Sequence, residues 1–142
     1  MTFAAINSGS YNFVLFLHLL SVILGTGSAF LAQVITSKYK KSTDNPQITL
    51  TALGTVISPS LLLSGVFGGA LVGMSDDVYD FSQLWLTLAG ILWLTCIAAA
   101  ALLYKPPFLT LPDVGKHEAK LSAILHLSLV VMLAVMVWKP GF

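Results

Sequence analysis

Apolar positions in this chain come in long unbroken runs, and the polar positions fall between them. Four runs have about the 20 apolar residues that a ~30 Å hydrocarbon layer demands: 11–37, 49–74, 83–104 and 116–138. None alternates with the period of two that marks a half-buried strand, so each predicts a helix. The connections, 38–48, 75–82 and 105–115, are short, which favours antiparallel neighbours. The pattern predicts an all-α fold: a single membrane domain built as an up-down bundle of four transmembrane helices.

Within the first run the small and polar residues share a face. His18, Ser21, Gly25, Ser28 and Ala32 lie along one stripe of a helix, and Ser21, Gly25 and Ala29 form a ladder of small residues. Small residues let helices approach closely in lipid, so this stripe, His18 included, is expected to face the bundle. In the second run Pro59 removes a helical N–H and predicts a kink, with Ser58 and Ser60 placed to satisfy the freed carbonyls. Gly65, Gly69 and Gly73 follow as a double GxxxG. They can pack a helix of the same chain, join two copies, or leave room for a flat ligand, and packing within the chain is the leading reading.

Composition agrees with the runs. Of 142 residues, 56% are hydrophobic and only 9% charged, against about 25% charged in a soluble domain. The lipid bilayer is the expected surrounding. A net charge of +1 gives no reason to expect a nucleic-acid partner, and all seven basic residues are lysine, which rules out guanidinium clamps. The first ten residues carry no charge and the run after them is too long for a signal peptide, so the first span is expected to be retained.

Charge placement predicts orientation. Lys38, Lys40, Lys41, Lys105, Lys116 and Lys120 flank the first and third connections, while the second holds Asp76, Asp77 and Asp80. The positive-inside rule then puts the first and third connections in the cytoplasm and both termini on the outer side of a bacterial inner membrane. Lys139, beside Trp138, is expected to snorkel to the interface. Asp80 or Ser82 is expected to cap the third helix and Asp113 the fourth.

The chemistry left to the spans is small. No Asp or Glu lies inside one, there is no phosphate-cradling loop, and Cys96 has no partner for a disulfide. Hydrolysis and phosphoryl transfer are therefore not expected, and nothing points to an independent enzyme. His18 and His126 are the only deep imidazoles, the residue type that ligates haem iron, copper or zinc. At 1.5 Å per residue His18 lies ~10 Å inside Tyr11 and His126 ~18 Å inside Trp138, a mismatch that only helix tilt could absorb. Met132 and Met136 offer a soft second ligand, which suits haem or Cu(I) and admits copper handling. His117 sits near the interface beside Glu118, and Trp93 is read as a packed or lipid-facing aromatic.

LFLHLL in the first span, LLLSG after Pro59, Trp85-Leu86 opening the third and MVWKPGF closing the fourth resemble a family of small bacterial four-helix membrane proteins of unknown function. That family is distantly similar to the HemJ-type protoporphyrinogen oxidases and the copper-resistance D-type membrane domains. The resemblance implies haem b at the first-span histidine, here His18. The lysine of the third span that accompanies the oxidase has no counterpart here, and Ile23-Leu24 stand where a tryptophan is expected. The implied role is accordingly haem contact for electron transfer or cofactor handling. The competing expectation is a cofactor-free accessory subunit whose glycine faces pack against a larger membrane complex.

Overall fold

The computed structural model describes residues 8–39, 47–76, 78–105 and 115–141. It contains α1 (Gly9–Tyr39), α2 (Gln47–Gly73), α3 (Leu84–Tyr104) and α4 (Glu118–Trp138), with a short 3-10 turn, Gly115–His117, leading into α4. All four helices are long and apolar enough to cross a membrane. Among the described residues there is no strand.

Helix ends follow local chemistry. α1 starts two residues ahead of the apolar run because Ser8 caps it: the Tyr11 amide donates to Ser8 Oγ at 3.2 Å. α3 and α4 both finish on a lysine with left-handed backbone. Lys105 and Lys139 each have φ 42° and return their amide to the carbonyl of the residue four back, Ala101 and Val135 respectively. The cap expected of Asp80 or Ser82 is not there. α3 starts after Gln83 with no side-chain cap, because the Asp80 carboxylate is already taken by the Ser82 amide at 2.7 Å inside the loop. The cap expected of Asp113 lies outside the described residues.

Neighbouring helices run antiparallel, in register read from contacts. His18 of α1 meets Ser64 of α2, Gly65 and Gly54 of α2 meet Trp93 and Tyr104 of α3, Cys96 of α3 reaches the Leu125 carbonyl of α4, and Ala29 of α1 meets His126 of α4. The bundle is two hairpins, α1 with α2 and α3 with α4, joined mainly along α2 and α3; α1 and α4 barely touch. One core unites them, with Ala29, Ala32, Ile57, Leu61, Cys96, Ala99, Ala100, Leu125, Leu129 and Met132 all nearly or wholly buried.

The lipid-facing surface is as telling as the core. Phe13, Phe16, Ile23, Leu31, Val66, Leu94, Leu127 and Val137 all point outward. Contiguous apolar area of that extent is stable only where hydrocarbon is the solvent.

Lysines divide the two ends of the bundle. Lys38, Lys105, Lys116 and Lys120 mark the lysine end; the opposite, terminal end is where α1 starts and α4 finishes. At the terminal end Ser75, fully buried, turns the chain from α2 toward α3: its hydroxyl donates to the Val72 carbonyl and accepts the Tyr79 amide. Lys139 folds back over this turn. Its Nζ donates to the Tyr79 hydroxyl at 2.9 Å and stands over the Tyr79 and Trp85 rings at 4.6 and 5.4 Å. The two rings meet edge-on at 5.6 Å, and the Trp85 indole N–H donates to Gln83.

Candidate cofactor site at His18

The buried stripe of α1 runs Tyr11, His18, Ser21, Gly25, Ala29, Ala32, steps of three, four and seven that keep one face toward the bundle. Ser28 falls beside this face and is half-exposed. Gly25 lets α1 close on α2: a Cβ there would stand 3.1 Å from Leu61 Cδ2 and 3.3 Å from the Leu61 amide. That approach brings His18, only 9% exposed, onto the next turns of α2.

There His18 Nδ1 lies 2.8 Å from the Ser64 carbonyl oxygen. A carbonyl only accepts, so Nδ1 carries the proton and Nε2 keeps the lone pair. The ring fits because residue 68 is glycine. In a helix each side chain leans over the preceding turn, so a larger residue at 68 would cover the Ser64 carbonyl; a Cβ there would lie 3.2 Å from His18 Cε1. Sequence reasoning passed over Gly68 and Ser64, fixing instead on the Gly65, Gly69, Gly73 spacing. A cue was available: Gly68 breaks that spacing from within it.

Nε2 has no hydrogen-bond partner among the described residues, and it is not sealed in. Only Thr26 Oγ1 and Ser58 Oγ are there both fully buried and unpaired. Ser58 therefore does not satisfy a carbonyl freed by Pro59. One turn before the proline, the Thr55 hydroxyl donates to the Ala52 carbonyl at 2.7 Å.

On the other side of α2 a second donor uses the same device. Trp93 sits where Gly65 has no side chain, and its indole N–H donates to the Leu61 carbonyl at 2.7 Å. Ser64 Oγ donates to that carbonyl as well, at 2.8 Å. Gly65 thus packs within the chain, while Gly69 and Gly73 have nothing within 4 Å of a Cβ position.

The structure does not bring His126 to His18. His126 meets α1 at Ala29, eleven residues beyond His18, which is ~16 Å along the helix at 1.5 Å per residue. Both its nitrogens face oxygen: Nδ1 is 2.6 Å from the Ser122 carbonyl and Nε2 is 3.2 Å from the Ala29 carbonyl. Met132 is buried in the core beside Leu129 and Cys96, and Met136 packs at its edge. His117 is exposed at the start of α4. Among the described residues no three His, Cys, Asp or Glu side chains gather closely enough to hold a metal ion. His18 therefore stands as a lone donor, fixed in tautomer and direction by α2.

No family model matches the chain, and no curated protein or solved structure matches it either.

Proposed function

We propose that this chain is a bacterial inner-membrane four-helix protein that holds haem b, or another redox metal, through Nε2 of His18 and serves electron transfer or cofactor handling. The carrying observation is the tautomer: Nδ1–H is committed to the Ser64 carbonyl, and Nε2 keeps an unpartnered lone pair that is not fully buried. A ligating histidine generally donates its other ring N–H to a carbonyl or carboxylate, which fixes the ring and strengthens the donor. The donor set fits a single-histidine site. When bound, haem iron would supply one-electron chemistry, and the chain's own part is to hold and aim the imidazole and to keep the surroundings apolar. Both termini are placed on the outer side, on the strength of the lysine end alone.

The absorption spectrum of protein purified from membranes tests this reading. A Soret band that disappears in His18→Ala is the expected result. A colourless preparation free of iron and copper would overturn it.

A second reading is favoured by one observation. Gly69 and Gly73 face open space, as they would if this face of α2 packed against another membrane subunit or a second copy. A cofactor-free accessory subunit would be colourless and would co-purify with a partner through that face.

A further inference from the structure

α3 packs along α4, but α1 barely reaches it, so one face of α4 is left to the bilayer. Lys116, in the turn that opens the helix, begins a stripe on that face that continues through Lys120, Ala123, Leu127, Val130 and Ala134. Steps of three and four keep these residues on one side of a helix. All but the half-buried Ala134 are exposed. Two cations therefore stand at one end of the stripe, and everything beyond them is apolar. Its far half opens into a shallow hollow of about 260 Å³ between Val130, Val131, Ala134, Val135, Trp138 and Pro140.

The dimensions of the stripe match one leaflet. Val130 lies ten residues beyond Lys120, ~15 Å at 1.5 Å per residue, which is half of a ~30 Å hydrocarbon layer. A chain anchored at the lysines thus ends at the near edge of the hollow. The charge is not cancelled locally. Among the described residues Glu118 is the only carboxylate at the lysine end, and Lys38 and Lys105 stand at that end as well. At two residues from either lysine, Glu118 projects from another side of the helix.

An occupant complementary to this face is anionic at one end and apolar for the depth of a leaflet. Basic clusters where transmembrane helices leave the hydrocarbon recognise anionic lipid headgroups in this way. We propose that the stripe from Lys116 to Val130 binds an anionic phospholipid, its phosphate between the Lys116 and Lys120 ammonium groups and one acyl chain over Ala123 and Leu127. The single methyl of Ala123 leaves the chain room to lie against the helix. The inference does not depend on His18 holding a cofactor.

Quenching by lipids with brominated acyl chains tests it in reconstituted vesicles. A fluorophore on Leu127→Cys, in a Cys96→Ala background, reports the stripe. One on Leu94→Cys of α3 is the control: both side chains are exposed, at 65% and 60%, and the contact of Cys96 with the Leu125 carbonyl sets them at similar depth on antiparallel helices. Brominated phosphatidylglycerol, diluted into phosphatidylcholine, should quench the Leu127 label at a lower mole fraction than brominated phosphatidylcholine does. Lys116→Gln and Lys120→Gln should each weaken that preference about fivefold, and Lys120→Arg should keep it. The Leu94 label should show no preference. Equal quenching of the Leu127 label by the two lipids would overturn the proposal, as would a preference that survives the Lys116→Gln/Lys120→Gln pair or appears equally at Leu94. A preference lost in inorganic phosphate but kept in chloride of the same ionic strength would assign the lysines to a soluble anion instead, and would overturn it too.

Discussion

Trp93 and Gly65 fit one another as a side chain fits a notch: the indole occupies the place where residue 65 has no Cβ and from there donates to the Leu61 carbonyl at 2.7 Å. His18 and Gly68 repeat the relationship on the α1 side with the Ser64 carbonyl. Glycine exposes a helix carbonyl that a larger side chain would shield, so α2 accepts a ring from each neighbour.

Gly65→Ala forces the indole out of its seat. It should destabilise the bundle by about 1–3 kcal/mol, the range for overpacking, and should abolish the hydrogen-bonded signature of the Trp93 indole N–H. Gly69→Ala meets nothing within 4 Å and should be neutral or stabilise by up to ~1 kcal/mol through helix propensity. Denaturant titration of both variants in detergent checks the contrast. A loss of stability in Gly69→Ala equal to that of Gly65→Ala would mean that the open face is covered.

Gly68→Ala presses on the His18 ring by a few tenths of an ångström and disturbs the bond that aims Nε2. If His18 holds a cofactor, retention should fall about 10- to 100-fold, as when a supporting partner of a metal ligand is lost. Helical content should stay at the wild-type level, because the added methyl touches only the imidazole. Titrating haem into the purified variant measures the change.

Lys139→Met removes the cation from the Tyr79 and Trp85 rings and should cost about 0.5–1 kcal/mol, as expected for an exposed cation–π contact. Tyr79→Phe keeps a ring under the ammonium and should cost less. Trp85 emission and thermal unfolding, followed together, distinguish the two variants.

Asp80 predicts a pH effect. Hydrogen bonds from the Ser82 hydroxyl first and the Ser82 amide second hold its carboxyl below the ordinary range. A depressed carboxylate stabilises the fold above its unfolded value near ~3.9, and that contribution is lost as pH falls through the lower folded value. Ser82→Ala should move the Asp80 titration, followed by carboxyl 13C shifts, back toward the ordinary range. An unchanged midpoint would show that the amide bond alone sets it.

Much of the architecture was legible because membrane spans announce themselves by length, and antiparallel order follows from short connections. The bundle-facing stripe of α1 was legible too, since small residues at steps of three and four can face only one way. What the spacing could not show was each glycine's use, because that is decided by whichever ring the neighbouring helix brings to it. Gly68 carries His18 although it lies outside the repeating spacing, while Gly69 and Gly73, which fit the spacing, carry nothing here. Asp80 illustrates the same limit at short range: an Asx turn with Ser82 consumes the carboxylate before it can reach the helix.

The bond between His18 and Ser64 also sets a schedule for synthesis. Its partners lie 46 residues apart, so at ~5–20 residues per second the imidazole waits roughly 2–9 s after its own synthesis before its acceptor exists. During that interval α1 sits in the translocation machinery or in lipid with the His18 ring N–H unpaired. His126 has no such wait, since its acceptor Ala29 was made 97 residues earlier. A chaperone or insertase that shelters the first helix should thus matter more to the yield of this protein than one acting on the last.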